Sequence, residues 1–183
     1  MSADNTVLMR VDTIVIDPAS EMPVLILRGR DEPKLYLPIF IGQLEAASIA
    51  SVIAGVSLPR PMTHDLMIRL LDSLQAEILE VVIARLQENT FYAELRVIDA
   101  TQELRVIDAR PSDSIALAIR CGAPIRVAES VLTEAGGLAE VDATTEDPQS
   151  EVEVEESCAP TFAADDDVRL EDIDPDVFGK YKM

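Results

Sequence analysis

The chain has 183 residues, 48% of them apolar, and carries 34 Asp and Glu against 15 Lys and Arg, a formal net charge of −19. That length accommodates one domain of ordinary size with a buried core plus a tail, and the apolar share excludes disorder throughout. Such an acidic chain is a poor electrostatic match for a polyanion, whose binding usually draws on clustered Lys and Arg.

In chain order, Val7–Asp17 alternates apolar and polar residues in its second half, as a half-buried strand does. Met22–Arg28 and Lys34–Ile41 are predicted as the next strands, each bounded by turn-forming Pro, Gly, Asp or Ser. Pro38 inside the third points to an edge position or a bulge. The period then changes. Gln43–Ala54 reads as a buried helix with Leu44, Ala47, Ile49, Ala50 and Ile53 on its inner side and Gly55 as its stop. After the loop SLPRPM comes a second helix, with Thr63 as N-cap and Leu66, Leu70, Leu71 and Leu74 as its apolar stripe. Strands over Ala76–Leu86, Thr90–Ile98 and Gln102–Asp108 follow, then a helix over Pro111–Arg120, with Pro at a favoured first-turn position and Gly122 past its end. Val127–Ala135 is expected to be a fourth helix, closed by Gly136 and Gly137.

Sliding the chain on itself by 66 residues lays Ile41 on Ile107, Ser48-Ile49-Ala50 on Ser114-Ile115-Ala116, and Ile53 on Ile119. The order of elements agrees as well. The expectation is an α+β domain over residues 1–137 built from a duplicated β-β-β-α-α unit, with mixed or antiparallel sheets covered by helices.

From residue 138 the periodicity collapses. Residues 134–183 hold 16 acidic and 3 basic side chains, so 138–183 reads as a flexible acidic tail, with 168–181 as a candidate short docking helix. No apolar run approaches the ~18–20 residues that cross a bilayer, and MSADNTVLMR lacks the basic start and apolar stretch of a secretory signal. The two cysteines, Cys121 and Cys158, stand far apart outside any C-x-x-C spacing, which argues for a reducing compartment. Cys121 reads as a small buried hydrophobe at a helix end. The protein is expected to be cytoplasmic, with no membrane association.

Three polar clusters adjoin helix starts. One is Gln43 and Glu45; the second is Arg60, Thr63, His64 and Asp65; the third is Asp108, Arg110, Ser112 and Asp113. Across a pseudo-dyad, Glu45, Asp108 and Asp113 can approach one another. Each residue also has a plainer reading. The helix dipole alone favours Glu45 and Asp113 in a first turn, Ser112 can be a cap, and Asp108 and Arg110 can form a structural ion pair. His64 is the only histidine, which excludes a multi-histidine metal site; it suits a general acid or base, and equally a first-turn helix residue whose ring bonds a backbone group. Sequences diagnostic of P-loop enzymes, Rossmann dehydrogenases, α/β-hydrolases and zincins are absent.

The stretches LPIFIGQLEAASIA, PRPMTHDL and IDARPSDSIALAIRCGAPIRVA are similar to the three signature stretches of the bifunctional nuclease family, in order and with compatible spacing over about residues 7–135. The resemblance implies an intracellular, oligomeric α+β domain with an internal repeat and nuclease activity on RNA and DNA. It marks Glu45, Arg60, Thr63, His64, Asp65, Asp108, Arg110, Ser112 and Asp113 as motif members without assigning their roles. Chemically, Glu45, Asp65, Asp108 and Asp113 are candidates to hold Mg²⁺, and Arg60 or Arg110 to bind phosphate, with Ser112 beside them. The competing expectation is a non-catalytic homo-oligomer that binds a small ligand or a protein through the same corner. The acidic charge favours it.

Overall fold

Residues 5–138 are described by the structure, a computed structural model, and all lie within one compact unit. The segments that alternate in the sequence are strands: β1 (Thr6–Ile16), β2 (Pro23–Gly29) and β3 (Leu35–Phe40) form one antiparallel meander. Two helices follow, α1 (Gln43–Ile53) and α2 (Thr63–Ser73), and then a second meander of β4 (Glu77–Gln87), β5 (Thr90–Ile98) and β6 (Leu104–Ala109). The described residues close with α3 (Pro111–Cys121), β7 (Ile125–Ala128), α4 (Glu129–Ala135) and β8 (Gly137–Leu138). The eight strands of the described residues join in a single mixed sheet of order β6-β5-β4-β7-β1-β2-β3-β8.

β7 is the seam between the meanders. Residues Val81–Ile83 of β4 pair with it in parallel, and Thr6–Met9 of β1 pair with it antiparallel. Alternate residues of the strands, among them Leu25, Leu27, Leu37, Ile83 and Val127, are fully buried beneath the helices, and α3 supplies Ile115, Ala116, Leu117 and Ala118 to the same core. Burying a Leu or Ile side chain contributes about 1.5–3 kcal/mol, so this layer is where stability concentrates. Pro38 fits because the outer flank of β3 is paired only at Leu35 and Tyr36, by β8. Gly122 ends α3 in the left-handed region at φ 75°, which any Cβ would strain.

Several expectations need correction. Val127–Ala135 is not one helix: Val127 and Ala128 belong to β7, and only Glu129–Ala135 is helical. Pairing with two sequence-distant strands overrides the local pattern there. The second half therefore runs β-β-β-α-β-α-β rather than repeating β-β-β-α-α. Thr63 is the first residue of α2, not its cap; Met62 is the cap, and its N–H donates to the Asp65 carboxylate at 2.9 Å. α1 turns Ala46, Ser48 and Ile49 inward and leaves Leu44, Ala47, Ala50 and Ile53 outside. It is apolar nearly all round, so its period cannot choose a face. No residue of α2 is buried. Cys121 is exposed rather than buried. The tail from residue 139, with Cys158 and the candidate helix 168–181, lies outside the described residues.

Candidate functional site

The N-termini of α1, α2 and α3 converge, and each helix carries a carboxylate in its first turn: Glu45, Asp65 and Asp113. α3 makes the meeting possible. Its small residues Ser114, Ala116 and Ala118 are fully buried, and α1 and α2 both pack on it.

Arg110, immediately before α3, lies between two carboxylates. Its Nε and Nη2 donate to Asp113 Oδ2 and Oδ1 at 2.8 and 3.2 Å, and its Nη1 stands 2.9 Å from Glu45 Oε1. His64 Nε2 lies 3.2 Å from Asp113 Oδ1, and His64 Nδ1 lies 2.9 Å from Ser48 Oγ. Behind the ring, the Arg120 side chain is only 7% exposed and donates to Asp65 Oδ1 at 2.6 Å and to the Ala116 carbonyl at 2.8 Å. It also donates to both the carbonyl and the hydroxyl of Ser48 at 3.1 Å. One connected polar network thus runs from Glu45 through Arg110, Asp113, His64 and Ser48 to Arg120 and Asp65.

Ionisation follows this wiring. Partial burial of Asp113 opposes its charge, but hydrogen bonds from Arg110 and His64 outweigh it and hold the carboxyl below the ordinary aspartate value. Hydrogen bonds from Arg120 and the Met62 N–H lower Asp65 in the same way. Asp113 and its neighbouring Glu45 raise Arg110 above its usual value. Asp65, Asp113 and Arg110 are therefore each held in the ionised form at neutral pH.

Two grooves adjoin the network. One, of about 890 Å³, runs between α2 and β6 with mostly apolar walls, including Met67, Leu70 and Ile107, and has His64, Asp113 and Arg110 at its polar end. The second, of about 630 Å³, lies toward β3 and β5 beside Phe40 and Ser112. Glu45 and Arg110 line both. Arg110 has 66% of its side chain exposed. A guanidinium has five N–H donors; three are used here, which leaves two for an oxygen in the groove.

Of the expected site residues, Glu45, His64, Arg110 and Asp113 come together at the grooves, and Asp65 stands behind them on Arg120. Asp108 lines the larger groove but does not join Glu45 and Asp113: its carboxylate is 76% exposed and lies 4.0 Å from Arg85. Nor does it pair with Arg110, because β6 ends at Ala109 and the chain turns Arg110 toward α1. Ser112 is buried beside the smaller groove and makes no cap bond. Arg60 is exposed in the loop before α2 and has no polar partner among the described residues, and Thr63 is exposed at the groove edge.

Ser48 and Arg120 enter the network unforeseen. The one available signal was Arg120 in the last turn of an otherwise buried helix, a place the helix dipole explains by itself. Gly42 is a third addition, since a Cβ there would collide with the Glu45 carboxylate and turn it from Arg110. Among the described residues no three His, Cys, Asp or Glu side chains stand close enough together to hold a metal ion, and Glu45 and Asp113 both pair with Arg110. No helix among the described residues is long and apolar enough to cross a membrane.

Residues 25–140 match the model of the bifunctional nuclease domain family, and the chain belongs to that family. It is 46% identical over 149 residues to an uncharacterized protein of Mycobacterium tuberculosis, covering 79% of this chain and 88% of that one. It is similar to bifunctional nuclease 2 of Oryza sativa subsp. japonica, 29% identical over 119 residues, covering 63% of this chain and 36% of the plant protein. Bifunctional nuclease 1 of Arabidopsis thaliana is 26% identical over 107 residues, covering 57% of this chain and 33% of the relative. The chain thus spans about a third of each of these plant proteins.

Proposed function

We propose that the protein is a phosphodiesterase that cleaves RNA and DNA with little sequence preference at the Arg110–Asp113–His64 corner. The observation that carries this is the guanidinium of Arg110, fixed between Glu45 and Asp113 with two N–H donors left over at the mouth of both grooves. Family membership supports it, as do the names of the plant relatives, which are called bifunctional nucleases.

In this reading Arg110 holds a phosphate oxygen and stabilises the charge that develops on it. A carboxylate offers about four acceptor positions; three on Asp113 are taken by Arg110 and His64, leaving one on Oδ2 for the attacking water. Asp113 accepts the water's proton as the water oxygen bonds to phosphorus and the P–O bond to the leaving sugar oxygen breaks; that oxygen takes its proton from solvent, and Glu45 fixes the orientation of Arg110. Contacts confined to phosphate carry no sequence information, hence the weak preference. The acidic surface opposes association with a polyanion, so a high KM and a slow rate belong to the same reading. No step requires a metal, and an arm with added Mg²⁺ or with EDTA decides whether one assists.

The test is cleavage of end-labelled RNA and DNA oligomers by extensively purified protein. Arg110→Ala is expected to abolish it, whereas undiminished cleavage by that variant places the activity elsewhere.

One observation supports homo-oligomer formation as part of this reading. Leu70 and Leu74 of α2 and Ile107 of the edge strand β6, which line the larger groove together, are 46–67% exposed, apolar surface of the kind a partner subunit covers. Light scattering at micromolar concentration is expected to report a dimer or larger, and a monomer at every concentration contradicts it. The same surface is what the competing reading, a non-catalytic ligand- or protein-binding module, would use. Internal duplication is retained as a proposal, supported by the three-stranded antiparallel meander and following helix that each half contains.

A further inference from the structure

The polarity of the hydrogen bonds around His64 fixes more than the positions of the residues. Arginine can only donate, so at the Arg120–Ser48 contact of 3.1 Å the Ser48 oxygen is the acceptor. The other polar neighbour of that oxygen among the described residues is His64 Nδ1 at 2.9 Å. With Arg120 donating to the oxygen, the single O–H of Ser48 is directed at the ring, and Nδ1 accepts it. A neutral imidazole that accepts at Nδ1 carries its proton on Nε2. That nitrogen faces Asp113 Oδ1 at 3.2 Å, an ionised acceptor with which an N–H is the matching donor. All the bonds therefore run one way, from Arg120 to Ser48 to His64 to Asp113.

The same polarity occurs in a Ser-His-Asp triad, in which the serine is the nucleophile. Ser48 differs in its surroundings. It is 4% exposed, sits in the interior of α1, and has its oxygen engaged by a buried guanidinium. Arg120 is in turn clamped by Asp65 and by the Ala116 and Ser48 carbonyls, so it has little freedom to withdraw. The geometry suits holding a ring rather than attacking a substrate.

We propose that Ser48 and Arg120 are positioning residues that lock His64 in its Nε2–H tautomer, so that the ring acts as a fixed donor orienting Asp113 and not as a base open to the groove. The consequence for hydrolysis rests on the phosphodiesterase reading above; the tautomer itself does not. On that reading the donated bond aims Asp113 so that its remaining acceptor position meets the water, and removing Ser48 slows turnover without weakening substrate binding.

His64 is the only histidine in the chain, so ring-¹⁵N labelling of tag-free, full-length protein gives a single imidazole spin system. Spectra are taken over a pH series and read on the high-pH plateau, where the ring shifts no longer change with pH. Long-range ¹H–¹⁵N correlation is expected to show a pyridine-type Nδ1 and a pyrrole-type Nε2 in the wild type. In Ser48→Ala, with the amide spectrum confirming the fold, the two nitrogens are expected to move toward the averaged shifts of exchanging tautomers. A protonated Nδ1 in the wild type, or an unchanged ring pattern in Ser48→Ala, overturns the proposal. In the cleavage assay, Ser48→Ala is expected to lower kcat roughly tenfold at unchanged KM, whereas full kcat overturns the positioning role. Labelling of Ser48 by a fluorophosphonate also overturns it, in favour of a nucleophile. Absence of cleavage by the wild type counts against the phosphodiesterase reading alone, because the ring spectra decide the tautomer without it.

Discussion

Replacing Arg120 by Met keeps the length and apolar stem of the side chain and removes the charge that ties three helices together. Four hydrogen bonds disappear: one to Asp65 on α2, one to Ala116 on α3, and two to Ser48 on α1. Breaking a buried pair by deleting one partner costs about 3–5 kcal/mol, mostly through the charge left behind. Here the abandoned Asp65 keeps 36% of its side chain exposed and still accepts the Met62 N–H, so solvent recovers part of that cost. A loss of about 2–3 kcal/mol follows, which for a domain of this size is a fall of roughly 6–12 °C in melting temperature. Urea denaturation of the wild type, Arg120→Met, Asp65→Asn and the double variant measures both the loss and the coupling. The double variant should be no worse than Arg120→Met alone, since neutral Asn leaves no stranded charge. A loss below about 0.5 kcal/mol for Arg120→Met, or purely additive effects, would refute the claim that this pair holds α2 in place.

Other consequences follow from single residues. Ser114 Oγ is fully buried with no hydrogen-bond partner among the described residues, so Ser114→Ala is expected to keep or raise stability by up to about 1 kcal/mol, and a loss above that in thermal unfolding shows a further partner. Asp108→Asn should change stability by less than about 0.5 kcal/mol and leave cleavage near wild type, because the carboxylate is exposed beside Arg85; abolished cleavage returns Asp108 to the catalytic set. Asp113 and Asp65 have lowered folded pKa values, so their stabilisation is complete above the unfolded value of ~3.9 and is lost as pH falls through the folded values. Acid unfolding should therefore be less steep below about pH 4 in Asp113→Asn than in the wild type, and equal slopes contradict the assignment.

The strands were legible because half-buried antiparallel strands alternate, and α3 because Pro111 and Gly122 punctuate it at both ends. β7 was not. Ile125–Ala128 is too short to show a period, and what makes it a strand is pairing with β1 and β4, respectively more than a hundred and about forty residues away in sequence. The inner face of α1 was misread for a related reason: Leu44 and Ile53 satisfy the helical period as well as Ile49 does, and the choice is made by Ser48 meeting His64 and Arg120. At the site, the motif members that carry charge in a helix's first turn were visible. Their wiring was not, since sequence cannot say that Arg110 faces Glu45 while Asp108 faces Arg85, and a buried arginine such as Arg120 looks like any other residue in a last turn.

The central claim is that the Arg110–Asp113–His64 corner hydrolyses phosphodiesters, and the most direct test compares wild type with Asp113→Asn, purified side by side through identical steps. Rates on single-stranded RNA and DNA are followed with EDTA and with Mg²⁺, and melting temperatures are taken on the same samples. The wild type is expected to cleave both polymers, and Asp113→Asn to fall by about 100-fold or more, with its melting temperature within a few degrees because the side chain remains nearly isosteric. Equal cleavage by the two preparations would contradict the account, since the activity would then belong to another part of the molecule or to a contaminating nuclease.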